Sequence, residues 1–554
     1  MPQRETDDIG SSEWVSSPLD MKADVIIVGA GFSGCYALHR MRQLGLEAKI
    51  IEAGSDFGGV WHFNRYPGAR VDSETPTYQF SLREVWAGFN FRERFPGQDE
   101  LREYFSHVDK TWNLRKDATF NTRVEEARYD NEHRIWRMKT DSGLTTESRF
   151  VIFATGTTNK SYTPEISGLE RFKGKVIHPC AWPEGLDVKG KKVGIIGQGA
   201  SGLQIFQQLA KEDCALTVFV RTPCTAIPMK QRELSFEESE TLKNFYDGLF
   251  EKAKFESTAA YPYNKNPKSF FDATEEERHQ LFEQLWTRGG FGFLVSNYHD
   301  VMLDPKANAI MYDFWVSKVR SRMTDTVKKD IVAPLKQYQW IGTKRPNLET
   351  DYYEMLDRPN VKLVDLKATP IKELTPSGIT TFGESDELHD LDVIIFATGY
   401  DSVTGSLHDM NIHDRKGIKL QDKWKDGIRT YLGMMIEDMP NAFLLYGPQA
   451  PTSVANGPPF IEMEVDWIAQ LVQKARRDGV SSIEPTEEAV SNWRQSVMAA
   501  FEPTLYRYST GWWTGMNIPG KNREPLIFFG GLEAWWERCN EALTDWSHFE
   551  VFIA

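Results

Sequence analysis

The stretch ADVIIVGAGFSGCYALHRMRQLGLEAKIIEA, residues 23–53, decides the fold. Val25 to Val28 is an apolar, β-branched run, the pattern of a strand buried on both faces. Gly29-Ala30-Gly31-Phe32-Ser33-Gly34 follows it, a helical pattern continues to Gln43, and a second strand ends at Glu52. These parts form one complete βαβ unit. In such a unit the first glycine permits a tight turn and the second lets a pyrophosphate approach the backbone. The third lets helix and strand pack closely, and the helix N-terminus stabilises the phosphate charge.

The same parts recur in the same order in KKVGIIGQGASGLQIFQQLAKEDCALTVFVRT, residues 191–222. Its loop is Gly197-Gln198-Gly199-Ala200-Ser201-Gly202, and its second strand ends at Val220. Both loops lie between a strand and a helix, the context a dinucleotide fingerprint requires. The strand ends then separate the two ligands. Glu52, 23 positions after Gly29, is placed to accept hydrogen bonds from a ribose diol and would repel a 2′-phosphate. The matching place in the second unit, 24 positions after Gly197, holds Arg221, followed by Thr222. A guanidinium there suits a 2′-phosphate, hence NADP rather than NAD. FAD is expected on the first loop, through Gly29, Gly31, Ser33, Gly34 and Glu52. NADPH is expected on the second, through Gly197, Gly199, Ser201, Gly202, Arg221 and Thr222.

Two further segments, FVIFATGTT (150–158) and LDVIIFATGYD (391–401), each run an apolar strand into Ala-Thr-Gly. They frame the second unit and mark crossings between domains. The expected fold class is α/β with two Rossmann-like dinucleotide-binding domains. A polar, flexible arm covers residues 1–22, and a discontinuous FAD domain takes 23–155 and 401–554. The NADP domain takes 156–222 and 334–400. Residues 223–333, rich in charged helical patterns such as ATEEERHQLFEQLWTRGG, read as a helical insertion in it.

Composition agrees with this class. The 554 residues are 40% hydrophobic and 26% charged, ordinary for folded domains. Acidic residues exceed basic ones by 79 to 65, which gives no reason to expect nucleic-acid or anionic-membrane binding. Five scattered cysteines without a C-x-x-C pair disfavour a disulfide framework, a zinc site and a redox-active dithiol. The first twenty residues lack a signal peptide's basic start and apolar core, and no apolar run reaches membrane-spanning length. The expectation is a cytoplasmic protein, a monomer or weak oligomer, without metal.

A flavin beside a nicotinamide can pass electrons to a disulfide, to another protein or to oxygen. Cys35 is the only cysteine near the first loop, so a disulfide reductase is excluded in practice. Phe172-Lys173-Gly174-Lys175-Val176-Ile177-His178-Pro179-Cys180-Ala181-Trp182-Pro183 matches F-x-G-x-x-x-H-x-x-x-W-P. Gly58-Gly59-Val60-Trp61 through Phe63-Asn64-Arg65-Tyr66-Pro67-Gly68 to Asp72 fits [A/G]-G-x-W-x4-[F/Y]-P-[G/M]-x3-D. With these two signatures the chain resembles the type I Baeyer–Villiger monooxygenases from residue 23 to about 530.

That resemblance implies an enzyme using NADPH and dioxygen, in which NADPH reduces FAD. A flavin peroxide then attacks a ketone to give an ester or lactone, with NADP+ retained through the cycle. By the match of Lys344-Arg345, Arg345 is the catalytic cation, Asp72 orients it near the flavin, and Lys344 reaches the 2′-phosphate. Gly59, Trp61, Tyr78 and Val124 fall at FAD positions, Trp512 at a nicotinamide-ribose position. Phe172, Gly174, His178 and Trp182 belong to the fingerprint, His178 and Trp182 with a conformational role that couples NADP binding to domain rotation. The stretch before Lys344, QYQWIGTKR, departs from the usual Pro-x-x-Gly-Cys-Lys-Arg, so Gln339, Trp340 and Thr343 would reshape the wall near Arg345. The alternatives are a flavin monooxygenase for sulfides or amines, and a dinucleotide-binding sensor.

Overall fold

The computed structural model describes residues 20–553. The part of the N-terminal arm before Asp20 lies outside them. The first strand, Met21–Val28, starts earlier than the sequence indicates, because the backbone of Asp20 to Ala23 pairs with the Thr145 strand in spite of its polar side chains. Residues 21 and 22 therefore belong to the sheet and not to the arm.

The first sheet has eight strands. Met21–Val28 lies at its centre, between Ala48–Ile51 and Thr145–Phe153, and is parallel to both. Val25, Ile26 and Ile27 are fully buried, as a strand covered on both faces demands. Helix Phe32–Gln43 covers one face and packs against the 21-residue helix Gly457–Arg477 from the far end of the chain. Strands Ile412–His413 and Ala442–Leu444 join this same sheet, the latter pairing with Thr145–Phe153. Helix Gln98–Trp112 shows why such segments fold where they do: Leu101, Tyr104, Phe105, Val108 and Trp112, three or four positions apart, form one buried stripe.

The second sheet is parallel throughout, in the order Val361–Asp365, Ala215–Val220, Lys192–Ile196, Val393–Phe396 and Lys175–Ile177. Its edge strand Lys175–Ile177 is cut from the sequence fingerprint. Gly174 precedes it because a Cβ there would stand 2.3 Å from the Asp392 carbonyl. Residues 223–333 hold mainly helices. Glu275–Arg288 begins with a capping box between Thr274 and Glu277, and Pro305–Arg320 is capped by Asp304. One short strand interrupts them, Ala226–Pro228, paired with Asn347–Glu349 just after Arg345. Among the described residues no helix is long and apolar enough to cross a membrane.

Candidate active site

One cleft of ≈ 1460 Å³ runs between the two sheets and is lined by both glycine loops. The two loops turn in the same way at their first glycine. A Cβ on Gly29 would lie 2.4 Å from the Ala154 carbonyl oxygen, and one on Gly197 2.4 Å from that of Ala397. The two Ala-Thr-Gly crossings are thus the surfaces against which the loops turn. The middle glycines behave differently. Gly31 and Gly199 have φ of −81° and −73°, which any residue adopts. A Cβ on Gly199 would meet nothing within 4 Å, and one on Gly31 only the Gly59 backbone, Cα at 3.5 Å and N at 3.9 Å. Neither backbone strain nor internal crowding requires glycine there. The space they leave opens at the N-termini of helices Phe32–Gln43 and Ala200–Leu209, which have no side-chain cap. A pyrophosphate fits both cradles.

Glu52 follows its strand directly and is buried. Its two oxygens accept from the backbone N–H of Ala30 and of Gly54, each at 2.6 Å. Burial raises its pKa, and these hydrogen bonds oppose the shift. In the same cleft Arg221 is exposed and Lys344 half-buried. Burial, then the Arg221 charge, pushes the Lys344 ammonium below its ordinary pKa. Two cations side by side without a carboxylate partner among the described residues suit a dianion such as a 2′-phosphate.

Arg345, next to Lys344, also lines the cleft. Its Nε donates to Asp72 Oδ2 at 2.9 Å, its Nη2 to Asp72 Oδ1 at 2.8 Å and its Nη1 to the Ser453 carbonyl at 2.7 Å. Both side chains of the pair keep 26% of their exposure. The guanidinium carbon stands 4.3 Å from the centre of the Phe291 ring. Burial works against the Arg345 charge, but Asp72, with Tyr261 and Tyr446, raises its pKa above the ordinary value. Tyr261 also bonds Ser73 at 2.9 Å, and burial lifts its phenol to about 12.

Gly34 and Gly202 do not line the cleft: a Cβ there would stand 1.9 Å from the Gly29 carbonyl oxygen and 2.3 Å from that of Gly197, so their place is close helix packing. The other predicted residues divide into two groups. Gly59, Trp61, Tyr78, Val124, Ser33, Ser201, Thr222, His178 and Trp512 line the cleft, and Trp61 Nε1 donates to the Tyr78 hydroxyl at 3.0 Å. Trp513, next to Trp512, lines it too and packs on Tyr506 with ring centres 4.9 Å apart. Phe172, Gly174 and Trp182 lie away from the cleft: Phe172 and Trp182 pack on cores of the second sheet. His178 reaches the cleft, together with its neighbours Pro179 and Cys180. Its Nε2 donates to the Gly399 carbonyl at 3.1 Å and its Nδ1 accepts from the Cys180 N–H at 3.4 Å. Burial lowers its pKa, which favours this neutral form.

Sequence reasoning missed the residues of 223–333 that reach the site. Tyr261 and Phe291 flank Arg345. Asn308, fully buried on helix Pro305–Arg320, accepts from the Ile341 N–H at 2.9 Å and donates to the Ile341 carbonyl at 3.0 Å, pinning the loop that ends in Lys344-Arg345. An aromatic or an asparagine in a helical segment carries no signal of such contacts. The departing residues turn inward: Gln339 donates to Thr225 at 2.7 Å, and Thr343 is buried with its hydroxyl on the Trp340 carbonyl.

A profile of the pyridine nucleotide-disulphide oxidoreductases matches residues 26–282. Cyclopentanone 1,2-monooxygenase of a Comamonas strain is 39% identical over 530 residues, covering 95% of this chain and 96% of that protein. A Baeyer–Villiger monooxygenase of Pseudooceanicola batsensis is 36% identical, covering 92% of each chain. The chain belongs to the type I Baeyer–Villiger monooxygenases. Phenazine N-monooxygenase of Lysobacter antibioticus is also 36% identical, covering 96% of each. Among solved structures, a complex of OTEMO with FAD and NADP superposes with a TM-score of 0.91 at 35% identity, over 96% of this chain and 99% of that one. Membership does not bring a redox dithiol with it: all five cysteines are free, and Cys35 is buried by the first glycine loop.

Proposed function

We propose that this Baeyer–Villiger monooxygenase uses NADPH and dioxygen to convert a ketone into an ester or lactone, with FAD on the first glycine loop and NADP on the second. The bidentate Arg345–Asp72 pair, set in the cleft between the two loops, carries the reading. When bound there, the two cofactors supply hydride transfer and dioxygen activation. Glu52 holds the ribose hydroxyls of FAD, and Gly31 and Gly199 admit the pyrophosphates. Arg221, Thr222 and Lys344 hold the 2′-phosphate.

Arg345 stabilises negative charge that develops on oxygen as the carbonyl is attacked. A guanidinium suits this task because it stays protonated at any working pH and offers five donors. Asp72 and the Ser453 carbonyl take three of those donors and leave the others for the reacting oxygens. The pair also reduces the cost of keeping either charge half-buried. Phe291, Tyr261, Tyr446 and Tyr506 shield part of it from water. His178 ties the fingerprint to the Gly399 crossing, from which Tyr400 bonds Asn64 of the second signature at 3.0 Å. It acts on domain geometry rather than on protons. Five free thiols support a reducing compartment such as the cytoplasm.

The similarity to a phenazine N-monooxygenase favours one second reading, oxygen transfer to nitrogen or sulfur. A panel of ketones, sulfides and aromatic amines, with NADPH consumption and product detection, separates the two. Ester formation that is lost in Arg345→Ala, while NADPH still bleaches the flavin, supports the ketone reading. Amine oxidation without ketone turnover overturns it.

A further inference from the structure

Gln198 is the middle residue between the first two glycines of the second loop. In the first loop the same position is Ala30, whose N–H is held by Glu52. The second loop has Arg221 in place of that carboxylate, and its middle residue carries a full amide. Gln198 is 8% exposed and lines the cleft. Its backbone carbonyl is fixed by Asn347 Nδ2 at 3.0 Å, two positions after Arg345. Its side chain is not fixed: both the Nε2 donor and the Oε1 acceptor are buried without a partner among the described residues. A buried amide unpaired at both ends is costly, and native structures rarely keep one without something that fills it.

The geometry points to Gln198 as the residue that receives the nicotinamide half of NADP, through a group that donates and accepts at once. This rests on NADP occupying the second loop, as proposed above. A primary carboxamide has this chemistry, as has a ribose hydroxyl. The position agrees with it: Gln198 shares one cleft with Arg221 and Lys344, the cations that suit the 2′-phosphate, and is joined through Asn347 to the segment that carries Arg345. The flavin's own ring edge also pairs a donor with an acceptor, so the test must tell the two cofactors apart.

The test measures equilibrium dissociation constants of NADP+ and of 2′,5′-ADP, which lacks the nicotinamide half. The proteins are the FAD-loaded wild type, Gln198→Leu, Gln198→Asn and Arg221→Ala. Gln198→Leu is expected to weaken NADP+ about tenfold or more, to leave 2′,5′-ADP within twofold, and to keep full FAD content and an unchanged flavin spectrum. Gln198→Asn is expected to recover part of the loss. Wild-type affinity for an analogue with a carboxylate in place of the carboxamide distinguishes the carboxamide from the ribose. Arg221→Ala is the control for the reading underneath, and should weaken both ligands. If it weakens neither, the second loop is not the NADP site. If Arg221→Ala behaves as expected but Gln198→Leu binds NADP+ normally, water satisfies the amide and the inference falls. Loss of FAD or a shifted flavin spectrum with normal NADP+ binding assigns the amide to the flavin, which also overturns it.

Discussion

Arg345 and Asp72 lie 273 positions apart and meet through two parallel hydrogen bonds of 2.9 and 2.8 Å. One belongs to the loop after the mainly helical residues 223–333, the other to the second sequence signature beside the first glycine loop. The pair therefore exists only when the two nucleotide-binding sheets hold their present arrangement, and it joins charge placement to domain geometry.

Arg345→Lys keeps a positive charge but not the fork that engages both Asp72 oxygens. Ester formation is expected to fall about 100- to 1000-fold, while anaerobic flavin reduction by NADPH stays within a few-fold. Stopped-flow reduction beside product analysis checks this. Equal losses in both steps would remove Arg345 from the oxygenation step.

Phe291→Ala removes the ring under the guanidinium without touching either glycine loop. Arg345 then gains freedom and water gains access. Ester yield per NADPH is expected to fall about tenfold, with hydrogen peroxide making up the difference. Peroxide quantification against NADPH consumption decides it, and unchanged coupling would reduce Phe291 to packing.

Lys344→Ala relieves a like-charge contact with Arg221. The melting temperature without nucleotide should hold or rise, while the stabilisation given by saturating NADP+ should shrink. The preference for NADPH over NADH should fall by about tenfold, as expected for the loss of a charged partner. Thermal scans with and without NADP+, and kinetics with both reductants, test both halves.

Asn308→Leu breaks the clamp on Ile341 and leaves buried backbone groups unpaired, at a cost of about 2–4 kcal/mol. A denaturation midpoint within error of wild type would refute that accounting. In the surviving folded protein, ester formation is expected to drop more than flavin reduction, because the clamped loop carries Arg345.

His178 gives a pH signature. Its folded-state pKa is lowered below the ordinary 6.5, so the unfolded chain takes up the proton first as pH falls. The stabilisation is complete well above pH 6.5 and is lost as the pH drops below it. The difference in melting temperature between wild type and His178→Gln should narrow from pH 8 to pH 5.5. A difference constant across that range would mean that protonation of His178 is not coupled to the fold.

Much was legible before any tertiary structure because it is local. The two βαβ units announce themselves through apolar runs and successive glycines two and three positions apart, and the strand-end residues Glu52 and Arg221 differ in charge. The start of the first strand was misplaced because backbone pairing at Met21 and Lys22 does not depend on apolar side chains. The middle glycines of both loops could be recognised in sequence. That neither strain nor crowding explains them required coordinates.

Local order of residues determined the strands, the two phosphate cradles and the chemical type of each strand-end side chain, since these depend on neighbours a few positions away. The folded arrangement alone decided that residues 223–333 supply the floor beneath Arg345, that Asn308 holds the loop it stands on, and that His178, with its neighbours Pro179 and Cys180, is the part of its signature that reaches the cleft. Such contacts join segments far apart in the chain, and their energies come from desolvation and shape matching, which no spacing rule along the sequence records.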